Sequence, residues 1–139
     1  MKVKTPEECK AAEPRVLEAA KFILASPLES NDKHLYEARI LIIDWMSNTP
    51  EHSFSLDDNI SKLSKGKNSS LIGIFMAAQT KFVLENPDSA KDSKKLQIAA
   101  FSAVAEYCMN EANGVEKSKS VTKLIEAYKS GKMDGYAGK

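Results

Sequence analysis

A chain of 139 residues, 42% hydrophobic and 28% charged, has the make-up of one ordinary globular domain with room for a core. Its net charge of +1 and only two arginines, Arg15 and Arg39, leave neither the strong field nor the bidentate forks that nucleic-acid recognition uses, so no nucleic-acid partner is expected. The densest apolar run, ARILIIDWM (38–46), is about half the roughly eighteen residues of a membrane span and contains Arg39 and Asp44, so no membrane span is expected.

Helix boundaries are written in capping residues. Thr5-Pro6-Glu7-Glu8 reads as an N-cap, a Pro in the first turn and the Glu of a capping box. Pro14 either kinks that helix or starts a new one. Val16, Ala20, Ile23 and Leu24 then share a face until Pro27 ends the run. Ser30-Asn31-Asp32 offers caps for a second helix to about Ser47. That helix is apolar nearly all round (Leu35, Ala38, Ile40 to Ile43, Trp45, Met46), and is therefore expected to be central and covered on several sides.

After the turn SNTPEHSFS (47–55), Ser55 to Asp58 form a second capping box. They open a short helix over 56–65, with Leu56, Ile60 and Leu63 inward and Gly66 as a left-handed stop. A third major helix spans about 70–86. Ser89 to Asp92 repeat the cap pattern and open the longest helix, to about Asn113-Gly114. The last helix, 116–130, ends at Gly131, and the tail 132–139 is expected to be frayed.

No strand survives this reading, so the expected fold is all-α and a single domain, 1–139. It has five main helices with an extra short one. They are arranged as two antiparallel helical hairpins (about 5–48 and 70–113), bridged by 56–65 and followed by a C-terminal helix.

KFILASP (21–27) and KFVLENP (81–87) repeat four identities at an offset of sixty. Each lies at the end of a hairpin's first helix, with Phe and Leu expected inward, Lys wet and Pro stopping the helix. The pair is compatible with an internal duplication of about sixty residues. Alternating helices with a Pro after the first loosely resemble tetratricopeptide-type hairpins, without their 34-residue period or W-x-x-L-G-x-x-Y signature. W45-M46-S47-N48-T49-P50-E51-H52-S53-F54 and K81-F82-V83-L84-E85-N86 resemble an uncharacterised group of small helical proteins from Bacteroidota. That resemblance implies an export signal ahead of the chain in some members, and no catalytic residues. The compartment is cytoplasmic if the sequence is complete, and periplasmic or secreted if a signal peptide was trimmed.

Chemistry-bearing motifs are sparse. Cys9 and Cys108 are either two small buried hydrophobes or a disulfide between the N-terminus and a late helix. His34 and His52 fit no metal-ligand spacing and read as surface residues. Lys62, Lys65 and Lys67 in SKGKNSS suit a solvated loop better than an anion site. The sequons at Asn59 and Asn68 are short enough to arise by chance.

Asp44 stands out, flanked by Ile43 and Trp45. Either it is a buried carboxylate with a function, or it lies on the one wet stripe of its helix, in line with Glu37. Phe54, in a polar loop, must plug back onto the helices or remain an anchor for a partner. Trp45, Phe54 and Asp44 are the candidate contact residues; no catalytic, metal or cofactor residue is identified. The best reading is a non-enzymatic interaction domain for a protein or peptide. The alternative is a bundle binding a small ligand or lipid among Trp45, Met46, Phe75, Met76 and Phe101. No oligomeric state follows from the sequence.

Overall fold

A computed structural model of the chain describes residues 3–28, 30, 32–52, 54 and 58–136. Among them are seven helices and no strand: α1 (Pro6–Leu24), α2 (Lys33–Asn48), α3 (Asp58–Leu63), α4 (Leu71–Glu85), α5 (Ser93–Met109), α6 (Lys119–Lys129) and α7 (Met133–Tyr136). Short 3-10 turns at Gly66–Asn68, Pro87–Ser89 and Glu111–Asn113 lie between them. The fold is all-helical, as expected.

The first helix starts where its sequence says. Thr5 Oγ1 accepts from the Glu8 amide (3.2 Å) and Glu8 Oε1 accepts from the Thr5 amide (3.1 Å), a reciprocal box worth about 1 kcal/mol. Pro14 does not divide the helix, which runs 19 residues through it. Pro14 lies on the solvent side, as does Lys10, the residue whose carbonyl loses its helical donor. Cys9, Ala12, Val16, Ala20 and Ile23 form the inner stripe. Small residues there let α1 pack closely on both α2 and α4, its two most extensive contacts.

The centre of the molecule is α4, which touches α1, α2, α3 and α5. Its Leu71, Ile74, Phe75, Ala77, Ala78 and Val83 are buried, and so are Gln79 and Thr80. Phe75 meets Phe101 of α5 at 4.7 Å between ring centroids, and Tyr136 of α7 closes on Phe101 edge-on at 5.2 Å. Such offset and edge-on pairs add about 0.5–1.5 kcal/mol beyond burial alone.

Polar clasps fix the connections to this core. Tyr107 Oη donates to the Ser26 carbonyl (2.7 Å), and the Leu28 amide donates to the Asn113 carbonyl (2.9 Å), tying the exit of α1 to the end of α5. Burial pushes the Tyr107 hydroxyl up to about 12, so it remains a donor at any ordinary pH. Asn68 is buried and acts in both directions, donating to the Glu116 carbonyl and accepting from its amide, each at 2.9 Å.

Several boundaries differ from expectation. α5 is capped by Asp92, whose side chain accepts from the Lys95 amide, while Ser89 belongs to the preceding 3-10 turn. α5 also stops at Met109 rather than near Gly114. There Asn110 accepts from the Ala112 amide and diverts the backbone into a 3-10 turn. Ser118 caps α6, shortening it at its start.

Of the short helix, 58–63 is helical, and its expected cap at Ser55 lies outside the described residues. Gly66 (φ +59) opens the 3-10 turn after α3 instead of ending the helix itself. Gly131 does end α6. With φ +70 it allows the Lys132 amide to reach the Ala127 carbonyl and its own amide to reach Tyr128, a Schellman closure.

The tail is ordered further than expected. Met133 is buried, and Asn59 Nδ2 donates to the Tyr136 carbonyl (2.9 Å), so 133–136 dock as a helical turn; 137–139 lie outside the described residues.

The two K-F-[I/V]-L ends also differ from expectation. Phe22 is 37% exposed and Phe82 only partly covered, whereas Ile23 and Val83 are each 1% exposed and carry the burial. One device does recur in both copies. The residue four positions after Phe donates to the Phe carbonyl, from Ser26 Oγ at 2.7 Å and from Asn86 Nδ2 at 3.0 Å. Lys21 and Lys81 both reach Glu85, at 4.0 and 3.0 Å, in exposed pairs worth little individually.

Candidate functional site

The feature that the core does not absorb is on α2. At 100° per residue, Leu35, Ala38, Ile42 and Trp45 fall on one side and are buried against α1 and α4. Tyr36, Ile40 and Ile43, spaced i, i+4, i+7, fall on the opposite side. They are 65%, 42% and 49% exposed. The expectation that α2 would be covered on several sides is thus corrected: it is an edge helix, touching α1 and α4 but none of the later helices so extensively. Its third side, although apolar, has no helix over it among the described residues.

This stripe has two unlike edges. Along one run Glu37 and Asp44, which with Ile40 and Leu41 line a notch of about 330 Å³. Asp44 is partly exposed, and its carboxylate makes no ion pair among the described residues; only its backbone carbonyl is engaged, by Asn48 Nδ2 at 2.8 Å. It therefore lies on the wet edge in line with Glu37, and not in the core. Glu37 approaches His34 at 3.5 Å, a contact that is ionic only when the exposed imidazole is protonated.

Along the other edge Arg39 turns towards the Leu28 carbonyl (Nη2 to O, 3.4 Å). Beyond it lies an apolar groove of about 260 Å³ between α2 and α4, lined by Ile42, Ile43, Ile72, Gly73 and Met76 among others. A β-carbon built on Gly73 meets no described atom within 4 Å beyond its chain neighbours and its own helix backbone.

The other two candidate contact residues lie elsewhere. Trp45 is wholly buried on the inner side of α2, its Nε1 donating to the Cys9 carbonyl (3.1 Å). Phe54 plugs back onto it, with ring centroids 5.8 Å apart, and His52 stands 5.5 Å from the same indole. Trp45, His52 and Phe54 thus form one aromatic cluster that closes the turn after α2, and Asp44 is not part of it. His52 is half-buried where a surface residue was expected, and among the described residues its buried Nδ1 has no hydrogen-bond partner. That burial lowers its pKa from the usual 6.5, against the opposing pull of Glu13 and Glu51.

Cys9 and Cys108 are free thiols, and both are buried. Burial, with Glu8 and Glu13 nearby, raises Cys9; burial raises Cys108 to about 11 despite the Lys117 ammonium. Neither is poised as a nucleophile. Asn68 is too buried, and too fully engaged with Glu116, to be a sugar acceptor.

Two larger depressions mix polar and apolar linings. One of about 410 Å³ lies over α4 and α5, among Lys81, Glu85, Asn86, Glu106 and Asn110. Its groups are mostly satisfied internally, as in the Lys81–Glu85 pair and the Asn86 bond to the Phe82 carbonyl. The other, about 690 Å³, mixes Lys10 and Lys91 with Glu13, Glu51 and Asp88 around His52. Trp45, Phe75 and Phe101, proposed above as walls of a ligand pocket, line none of these clefts; all three are consumed in core packing. Among the described residues no group of three or more His, Cys, Asp or Glu is placed to hold a metal, and no helix is long and apolar enough to cross a membrane.

Sequence reasoning missed Tyr36 and Gly73, and read Asn68 only as part of a sequon. The spacing of Tyr36, Ile40 and Ile43 was available as a signal, but in a helix apolar all round it does not reveal which side stays open. Comparison of the chain with protein-family models, with characterised proteins and with solved structures finds no match.

Proposed function

We propose that the chain is a non-enzymatic protein-interaction domain whose docking surface is the outer face of α2. In this reading α1–α2 and α4–α5 are two antiparallel hairpins packed on each other through α1 and α4, with α6 and α7 finishing the α5 side. The arrangement is supported by the rank of helix contacts, in which α1 with α2, α4 with α5 and α1 with α4 come first. It also suits the loose resemblance to helical-hairpin scaffolds, which present an exposed helix face to a partner.

The observation that carries the reading is the outward stripe of Tyr36, Ile40 and Ile43. Single exposed apolar residues are ordinary, but three on one helix face at i, i+4, i+7 form the pattern that helix-in-groove recognition uses. The patch is small, which fits a short segment of a partner better than a large permanent interface.

A photo-crosslinking residue placed at Ile40, with a second protein carrying it at exposed Lys123 on α6, tests this in cells producing the full chain. Adducts at position 40 that are absent at 123, and that vanish when Ile43→Glu is added, are the expected result. Equal adducts at both positions, or none at position 40, would overturn it.

A further inference from the structure

The turn after α2 is closed by rings rather than by backbone. Beyond the Thr49 amide, which donates to the Trp45 carbonyl, Pro50, Glu51, His52 and Phe54 make no backbone hydrogen bond among the described residues. His52 and Phe54 instead rest on the Trp45 indole, at 5.5 and 5.8 Å between ring centroids, and Glu51 pairs with exposed Lys10 at 3.6 Å. A segment with so few backbone bonds opens locally at less cost than the helices around it. Trp45 itself is fixed from the other side, through its bond to the Cys9 carbonyl and the packing of α2 on α1.

One member of this closure titrates. His52 Nδ1 is buried and has no hydrogen-bond partner among the described residues. Protonation makes both imidazole nitrogens N–H donors, so a proton on His52 sets a charge and a donor where no acceptor waits. Lys10 and Glu13 face the ring from α1, Glu51 from the turn itself, and Asp88 and Lys91 across the depression. Glu13 and Glu51 would draw a proton, yet each already approaches Lys10 at 3.6 Å, and Lys91 opposes them. Burial outweighs the acids and holds the imidazole below its ordinary value of 6.5. Release of the turn into water returns it to that value.

We propose that the turn after α2 is an acid-released latch: His52 and Phe54 cover Trp45 while the imidazole is neutral, and a proton on it frees them and bares the indole while the helices stay packed. The latch is closed above about pH 6.5. Below that, each pH unit shifts the balance towards release by up to about tenfold, until the lower value of the closed form is passed. Trp45 lies on the opposite side of α2 from Tyr36 and Ile40, so the latch does not depend on the docking face.

Trp45 is the one tryptophan of the chain, so its fluorescence reports on the latch directly. The test is acrylamide quenching of the full chain between pH 7.5 and 5.0, with far-UV circular dichroism on the same samples. Expected is a rise of about threefold or more in the quenching constant towards pH 5.0, at unchanged helix content. His52→Phe, which keeps the ring contacts, should stay at the low value throughout, and His34→Gln, at the exposed histidine, should follow the parent. Phe54→Ala should be readily quenched at pH 7.5 already. A flat parent curve would overturn the proposal whatever the variants do. So would an equal rise in His52→Phe, or a rise that comes only with loss of helix, which is unfolding of the whole chain.

Discussion

Helices α2 and α4 look alike as strings and behave differently as objects. Both are apolar over most of their circumference. Yet α4 buries eight of its residues, Gln79 and Thr80 included, while α2 buries only Leu35, Ala38, Ile42 and Trp45. The difference lies in composition and in neighbours: α2 carries Lys33, His34, Glu37, Arg39 and Asp44 against Lys81 and Glu85 on α4, and α4 is packed by α1, α2, α3 and α5 while α2 is packed chiefly by α1, with a lesser contact to α4. A helix that is hydrophobic all round is usually read as buried. Here apolar residues serve two ends, a core in α4 and an outward apolar face in the more charged α2.

Truncation should separate the two helices most widely. Phe75→Ala on α4 removes a ring packed on Phe101 and should cost about 3–5 kcal/mol in denaturant unfolding. Ile40→Ala on α2 should stay within about 0.5 kcal/mol of the parent. The second effect in size is expected at Asn68, which holds the turn before α4 to Glu116 by two bonds. Asn68→Ala leaves the part-buried carbonyl and amide of Glu116 without this partner and should cost about 1–2 kcal/mol.

The aromatic cluster below α2 gives a pH signature. Because burial depresses His52 below its unfolded value of 6.5, the unfolded chain binds the proton more readily. The contribution of His52 is therefore full above about pH 6.5 and is lost as pH falls through that value towards the lower folded pKa. In His52→Phe, which retains ring contacts to Trp45 and Phe54, this part of the fall in unfolding midpoint between pH 7.5 and 5.5 should vanish. A small gain is expected at Gly73: Gly73→Ala should add about 0.5–1 kcal/mol, since it restores helix propensity and the new β-carbon meets no described atom outside its own helix.

Caps and stops carried most of the architecture into view from sequence. Thr5 with Glu8, and Gly131, act where their residue types place them, because capping is local chemistry. Ser89 misled because Asp92, three residues on, offers a carboxylate to the same helix start, and local pattern does not decide between two adequate caps. The order of 133–136 could not be read locally at all. It depends on Asn59 and Phe101, distant in the chain, and the sequence MDGY carries no sign of either.

The candidate site was half legible. Asp44 and its alignment with Glu37 were visible, since helical phase alone sets them. Trp45 and Phe54 were recognised as residues of consequence, but their consequence is to close the core. Tyr36 was passed over because exposure is a property of the packed helices around it. The repeated K-F-[I/V]-L ends taught the same lesson in miniature: one phase step moved the burial from Phe22 to Ile23.

A docking face on α2 requires that the helix have one buried and one open apolar side. Equilibrium denaturation of Ile40→Glu and Ile42→Glu, two substitutions of the same chemistry two residues apart, tests that directly. Ile42 is 2% exposed, so Ile42→Glu should lose several kcal/mol or fail to fold, while Ile40→Glu should unfold within about 0.5 kcal/mol of the parent. Equal losses from both would mean that the outer face of α2 is covered, and the docking surface would not exist.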